Sequence, residues 1–193
     1  MLEGAGPRGR AAGPTMLASM LRRACDTAAM QDLIERLSAA AAGMEALRGG
    51  VVAGEPWSLS EAYGAEPESD WGPKEILAHV EEMLEYWPRQ VGQILAAPAA
   101  DGPPGFGRVA TDATRIGRIG NDRKLPAAEL FDRIAAESCA VEATMASIGD
   151  QDQSRSGVHV RLGEMTIPAI FERFVVSHLE EHVVQLREVV GRA

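Results

Sequence analysis

The stretch "TIPAIFERFVVSHLEEHVVQLREVV", from Thr166 to Val190, decides the fold predicted for this chain. Its apolar residues recur at three- and four-residue steps, which predicts a long helix with one apolar face. His178 and His182, two of the chain's four histidines, lie one helical turn apart on the stripe that also carries Phe171 and Val175. Because large apolar residues share this stripe, the histidine pair is predicted to face the core.

Three other segments have the same periodicity and are bounded by helix-starting and helix-breaking residues. The predicted helices cover residues 27–48, 73–96, 126–148 and 167–190. Helices of this length joined by loops pack as a four-helix bundle. No set of strands large enough for a sheet is expected, so the predicted fold class is all-α.

The connections between these helices differ in length. The one at 97–125 is long and begins with many Gly and Pro residues, and a short helix is expected in it near residues 110–119. Residues 149–165 are predicted to form a loop or a short hairpin. The start of the second helix has the clearest signals, with Gly72 as N-cap, Pro73 in the first turn and Glu75 at the third helical position.

Length and composition indicate one globular domain. With 193 residues and 46% hydrophobic content, the chain can bury a core of its own. The domain is predicted at residues 16–193, after an arm at residues 1–15 that is rich in Gly, Pro, Ala and Arg and is expected to be disordered. Cys25 and Cys139 lie far apart without metal-type spacing, and each is predicted to be a small buried residue of a helix.

Charge and hydropathy argue against two classes of partner. Lys and Arg total 19 against 28 Asp and Glu, and the net charge of −9 disfavours binding to nucleic acid or to an anionic membrane surface. No apolar run approaches the roughly 20 residues that span a bilayer. The first residues lack the apolar segment of a secretory signal, so a cytoplasmic location is expected.

A third histidine gives the helical pair a chemical interpretation. His79 lies on a stripe of the second helix with Ile76, Val80 and Met83, so it is also predicted to face inward. Two histidines four residues apart can bind one ion from adjacent positions, and a third from a facing helix would leave further positions open. Imidazole nitrogens suit Zn, Ni, Fe or Cu. The alternative is that HxxxH supplies two core or half-buried histidines that hydrogen-bond each other.

Other metal motifs fail on spacing. A zincin needs Glu directly after its first His, whereas Leu179 follows His178. The ExxH motif of ferritin-like sites is also missing, because Ile76, Val175 and Leu179 precede the three histidines by three residues. Four histidines in total are too few for a hemerythrin-like pair of irons. The sequence therefore favours a mononuclear site.

Polar residues near the histidines have two interpretations each. Glu75 and Gln185 could accept hydrogen bonds from ligand imidazoles, or act as a helix cap and as an ordinary polar residue of the bundle end. His159 could cover the mouth of the site, but an exposed loop histidine is predicted. A basic loop could meet an anionic thiol or substrate, although arginines of an acidic protein are more often solvated; its residues are Arg108, Arg115 and Arg118.

Two segments carry a resemblance to a known family. "DWGPKEILAHVEEM", Asp70 to Met83, resembles the Trp-x-x-x-Glu-x-x-x-His start of the second helix in the DinB/YfiT-like superfamily. "GEMTIPAIFERFVVSHLEEHVVQL", Gly163 to Leu186, is similar to its Gly-Glu-x-Thr opening and its His-x-x-x-His-x-x-Gln fourth helix. The resemblance covers residues 30–190 in order and spacing. It implies a four-helix bundle with up-down-down-up topology, whose crossover is the connection between the second and third helices.

The same resemblance implies a site and a set of activities. His79, His178 and His182 match the family's metal triad, which usually holds Zn or Ni with open water positions. Relatives include mycothiol- and bacillithiol-dependent S-transferases, the N-terminal domain of maleylpyruvate isomerase and proposed metal hydrolases, and many form homodimers. The expectation is therefore a metal-dependent enzyme that activates a thiol cofactor or water toward a small-molecule substrate. The alternative is a non-catalytic, dimeric binding or stress-response bundle whose histidines are vestigial or sequester metal.

Overall fold

The structure is a computed structural model that describes residues 14–61 and 70–192, with side chains described from Ala29 onward. The predicted arm at residues 1–15 lies almost wholly outside this part of the chain, and the side chain of Cys25 does so too. Residue Pro14 begins the first helix.

Helices dominate the described part of the chain. Their bounds are α1 Pro14–Glu45, α2 Arg48–Ala53, α3 Pro73–Ala96, α4 Ala113–Asp122, α5 Ala127–Ser147, α6 Asp150–Gln153, α7 Ile167–Phe171 and α8 Ser177–Gly191, with a 3-10 turn at Ala99–Asp101. A π-helical segment, Glu172–Val176, joins α7 to α8 without a break. The four predicted helices are thus present, and the predicted short helix of the long connection is α4.

Four long helical segments enclose one core. α3 and α1 both pack against α5, and both pack against the α7 to α8 segment. Apolar side chains from all four are fully buried between them, among them Leu37, Met44, Leu77, Leu84, Leu130, Phe131, Ile170 and Leu186. This arrangement places α3 beside the helix that carries the histidine pair. The order of helix directions implied by the resemblance stays a prediction.

A small sheet corrects the expectation that the chain forms none. Its strands are β1 Gly105–Phe106, β2 Ser156–His159 and β3 Gly163–Thr166, in the order β1-β2-β3. β2 and β3 form the antiparallel hairpin anticipated near residue 160, while β1 pairs in parallel with β2, with Phe106 opposite His159. A two-residue strand in a Gly-rich loop is too short to show an alternating pattern. Its partner strand lies some fifty residues later in the chain, so no local signal predicts the pairing.

Local signals explain where α3 begins and how it ends. The Gly72 N–H donates to Glu75 Oε2 at 3.1 Å, which satisfies one of the amides that a helix start leaves without a partner. At the other end, Arg155 donates to the carbonyls of Ile94 and Leu95 at 2.7 and 2.6 Å. Arg155 lies just before β2, so it ties the sheet to the end of α3.

Two further observations concern the surface. Cys139 is exposed on α5, so the prediction that it is buried is wrong; its position on the outer face of the helix is set by the core stripe of Leu130, Ile134 and Val141. Among the described residues, no helix combines the length and the apolar character needed to cross a membrane.

Candidate metal centre

α3 presents the first histidine of the site to the bundle interior. His79 is 3% exposed and lies between the buried residues Ala78 and Val80. The Trp71 ring, just before α3, packs edge-on against the His79 ring with centroids 5.3 Å apart. Trp71 therefore covers His79 from the start of the helix, as expected of a tryptophan anchor at this position.

The other two histidines come from α8, directly after the π-helical segment. His182 is 4% exposed, whereas His178, one turn earlier, is half-buried. A π-helical turn widens the helix and is frequent at functional sites. Its presence means that the stripe predicted from a uniform helix is interrupted between Phe171 and His178.

The three histidines converge, as the sequence predicts. Their nearest ring nitrogens all lie within 4.8 Å of one another. The Nε2 atoms of His79 and His178 are 3.0 Å apart, and the ring centroids of the three pairs are separated by 4.6 to 5.1 Å. Two nitrogens at 3.0 Å can both lie about 2.1 Å from a common ion. The triad is thus compact enough to hold one metal ion.

Burial favours the neutral form of His79 and His178, which is the form that binds metals. Desolvation, followed by the charges of the neighbouring histidines and arginines, lowers the pKa of His79 well below its usual value. Desolvation likewise lowers the pKa of His178 to about 3, with His182 and Arg115 as the next causes. A neutral imidazole has a lone pair on one ring nitrogen. The donor set therefore fits a divalent transition metal.

Hydrogen bonds orient two of the rings differently. The Nδ1–H of His182 donates to Gln185 Oε1 at 2.8 Å, which leaves the Nε2 lone pair for the triad. Of the two interpretations that the sequence offered for Gln185, the hydrogen bond to a histidine of the triad is present. His79 has a cation as its neighbour, because Arg115 Nη2 lies 3.4 Å from His79 Nδ1. In most metal sites the second nitrogen of a ligand histidine contacts a carbonyl or a carboxylate instead.

Glu75 does not accept a hydrogen bond from His79. Its Oε1 accepts hydrogen bonds from the Ser60 N–H and from Arg123 Nη1, both at 2.9 Å, and its Oε2 caps α3. Of the two interpretations offered by the sequence, the helix cap is correct. A carboxylate at the third helical position accepts hydrogen bonds from the free amides at the start of its own helix. This local hydrogen bond, rather than one to His79 a turn later, fixes the Glu75 side chain.

A cavity of about 760 Å³ opens beside the triad. His79 and His178 lie in its wall. The volume is within the range of small-molecule sites, about 300–1,000 Å³. An ion held by the triad would therefore have a side that a ligand can reach.

His159 belongs to this cavity, which the sequence did not predict. The residue is 6% exposed rather than an exposed loop histidine, because β2 pairs with β1 and turns the ring inward. The ring stacks on Phe174 with centroids 5.1 Å apart and meets the edge of Phe106 at 5.3 Å. Burial, and secondarily Arg173, lower its pKa. The alternation around His159 would have predicted the opposite, because the apolar residues Val158 and Val160 are the exposed ones, at 43% and 57%.

The arginines of the long connection are not solvated. Arg108 binds both carboxylate oxygens of Glu82 and stacks over the Tyr86 ring at 3.6 Å. Arg118 binds Glu81 at 2.7 Å within an acidic cluster on α3 and α4. Arg108 and Arg115 line the cavity, whereas Arg118 does not.

Comparison with known proteins adds no assignment. No protein-family description, no curated protein and no solved structure matches the chain.

Proposed function

We propose that the chain is a DinB-like, metal-dependent enzyme with a mononuclear site at His79, His178 and His182. The observation that carries the proposal is the convergence of three buried or half-buried imidazoles, two of which, His79 and His178, lie in the wall of a large cavity. Structural metal sites are closed by protein ligands, whereas catalytic sites leave a position open to solvent or substrate. The cavity beside the triad supports a site of the second kind.

The chain's own groups have defined tasks in this proposal. The triad supplies three neutral nitrogens, and Gln185 holds His182 in the tautomer that directs Nε2 inward. Trp71 shields His79 from water. A bound Zn or Ni ion supplies the acidity that deprotonates a water molecule or a thiol at neutral pH. The resemblance to thiol-dependent S-transferases favours a low-molecular-weight thiol as the group activated, and a hydrolase is the variant that uses water.

A second candidate has an observation in its favour. The Nε2 atoms of His79 and His178 are at hydrogen-bond distance, and Arg115 donates toward the other nitrogen of His79. With these bonds His79 and His178 satisfy each other in the absence of metal, as in a non-catalytic binding bundle. Metal content separates the two candidates.

The test is metal analysis of the full chain, made without a His tag and loaded with Zn²⁺ or Ni²⁺ before gel filtration. We expect about one ion per chain, because each ligand is already in place. The variant His178→Ala should lose the ion. His159→Gln is the matched control, since it removes the fourth histidine, which lies outside the triad, and should retain the ion.

Two results would contradict the metal centre: no bound metal in the wild type, or equal metal content in His178→Ala and His159→Gln. Conjugation of a model electrophile with mycothiol, bacillithiol and glutathione then tests the thiol. Metal binding without a rate above background for any thiol would leave the hydrolase variant and the sequestering bundle.

A further inference from the structure

α4 brings one arginine side chain to the first histidine of the triad. Arg115 lies in the first turn of α4 and is 7% exposed. Its Nη2 atom lies 3.4 Å from His79 Nδ1, and the Nε2 atom of the same ring lies 3.0 Å from His178 Nε2. The His79 ring therefore has the triad on its Nε2 side and Arg115 on its Nδ1 side.

Several contacts fix Arg115 in this position. Its backbone N–H donates to Asp112 Oδ1 at 3.1 Å, and its Nη1 donates to the Ala110 carbonyl at 3.0 Å. The guanidinium carbon lies 5.7 Å from the centre of the Trp71 ring, which itself packs edge-on against His79. The contact with His79 is thus made by a buried side chain that is held from several directions.

The contact selects one form of the His79 ring. A guanidinium group has five N–H donors and no acceptor, so Nδ1 of His79 must provide the lone pair for Arg115. A neutral imidazole carries one hydrogen, which then lies on Nε2. Nε2 is the nitrogen that faces the triad, where His178 Nε2 can accept this hydrogen at 3.0 Å.

This form of the ring opposes metal binding. A histidine that binds a metal uses the lone pair of one nitrogen and donates the N–H of the other to an acceptor. For His79 to bind through Nε2, its hydrogen must move to Nδ1, where it would face an N–H of Arg115. Two donors form no hydrogen bond, and a buried donor without an acceptor is costly. His182 shows the contrasting case, because its Nδ1–H has Gln185 Oε1 as acceptor.

We propose that Arg115 is a positioning residue that weakens metal binding by the triad, because its donor-only side chain favours the His79 tautomer with hydrogen on the metal-facing nitrogen. This inference deepens the proposed function, on which it rests, by naming a residue that sets the metal affinity of the site. Loss of the partner of a ligand histidine usually weakens metal binding by about 10- to 100-fold. Loss of Arg115 should instead strengthen it.

The tautomer is tested in the wild-type chain by long-range ¹H–¹⁵N NMR spectra of EDTA-treated, ¹⁵N-histidine-labelled protein. Single His→Gln variants assign the four rings. We expect His79 to carry its hydrogen on Nε2, and hydrogen on Nδ1 would overturn the proposal. This measurement needs neither a bound metal nor a variant of Arg115, so it can be interpreted whatever the outcome of metal loading.

The effect on metal affinity is tested by competition for Zn²⁺ between a chromophoric chelator and the full chain without a His tag. Arg115→Gln should bind Zn²⁺ about three- to thirtyfold more tightly, because the shorter side chain leaves space for a water molecule that accepts the Nδ1–H. Arg115→Lys keeps a donor without an acceptor and should stay within about twofold of the wild type. Arg173→Gln is the matched control, because it removes an exposed arginine of the same cavity lining and should leave the affinity unchanged.

Circular dichroism verifies that each variant folds. Equal affinity in Arg115→Gln and Arg173→Gln, or equal tightening in Arg115→Gln and Arg115→Lys, would overturn the inference alone. Zn²⁺ binding by neither the wild type nor Arg115→Gln would overturn the proposed metal centre together with it.

Discussion

Gly107 shows how one residue without a side chain shapes the cavity. Its φ of +81° lies in the left-handed region, and its N–H donates to Gln90 Oε1 at 2.8 Å. An added Cβ would lie 2.3 Å from Cδ2 and 2.7 Å from Nε2 of His159, and 3.4 Å from the Trp87 ring. The histidine ring therefore occupies the space that any side chain at position 107 would need.

Gly107→Ala should consequently destabilise the fold. Left-handed backbone costs a non-glycine residue about 1–2 kcal/mol, and the His159 ring must also move, so we expect a loss of about 1–3 kcal/mol in urea denaturation. Gly105→Ala is the control, because position 105 has a negative φ and no atom within 4 Å of an added Cβ. It should change stability by less than about 0.5 kcal/mol. Equal losses in the two variants would show that His159 does not approach Gly107 this closely.

Residue-scale prediction succeeded where the relevant contact is local. His178 and His182 share a face because four residues make about one helical turn, and the place of His79 follows from the same periodicity. His159 could not be placed in this way. Its burial depends on β1, in which Phe106 is its partner from a distant part of the chain. Non-local pairing between short strands leaves almost no pattern in the sequence.

At the scale of elements, the α7 to α8 segment is fastened to α1 by one arginine. Arg36 donates to Glu180 from Nε and Nη2, at 2.9 and 2.6 Å, and to Glu172 from Nη1. Its Nη2 also lies 3.3 Å from Ser177 Oγ. These contacts lie at the first residue of the π-helical segment and in the first turn of α8. Arg36 therefore holds both ends of the turn that precedes His178.

Arg36→Met should loosen this turn while leaving the bundle folded. The ion pairs are partly solvent-exposed, so the loss of global stability should be about 1 kcal/mol or less. Hydrogen exchange should increase in amides 172–178, because local opening no longer breaks contacts with α1. Arg133→Met is the matched control, since within the described part of the chain Arg133 pairs with Glu129 alone, on its own helix. Unchanged exchange at 172–178 in Arg36→Met would show that the arginine does not hold the turn.

Most helix boundaries were predictable, but α1 begins at Pro14 rather than near the predicted residue 27, and the interruption inside the last helix was not predicted. Gly72, Pro73 and Glu75 are strong local signals, and α3 begins at Pro73 as predicted. The sequence of Glu172–Val176 has ordinary helix formers and β-branched residues, and no residue in it forbids α-helical hydrogen bonding. Its π geometry accompanies contacts with α1 and α3, which local propensity does not encode.

At the scale of the whole molecule, the buried histidines link stability to pH. The pKa values of His79, His178 and His159 are all lowered in the folded chain. Unfolded histidines titrate near 6.5, so below this pH the unfolded state binds more protons and the folded state loses its advantage. The stability contributed by these groups is complete above about pH 6.5 and is lost as the pH falls. Glu81, whose pKa is raised by burial, contributes with the opposite sign.

EDTA-treated protein should therefore unfold at a lower urea concentration at pH 5.5 than at pH 7.5. Each histidine that stays neutral in the folded chain lowers the free energy of unfolding by about 1 kcal/mol between pH 7.5 and pH 5.5. His178→Gln should reduce the difference, because one of the groups responsible is removed. A midpoint that is equal or higher at pH 5.5 would contradict the lowered pKa values.

The π-helical segment has a consequence for how the histidine pair tolerates a change in chain length. Each residue of an α-helix turns the chain by about 100°, and a π turn contains one residue more than an α turn. If Glu172–Val176 were α-helical with the same residues, His178 and His182 would be turned by about that angle relative to α7. The wider turn absorbs the extra residue and keeps the histidine pair facing the core. Deleting one residue from this segment should therefore restore an α turn and leave the pair facing the same way.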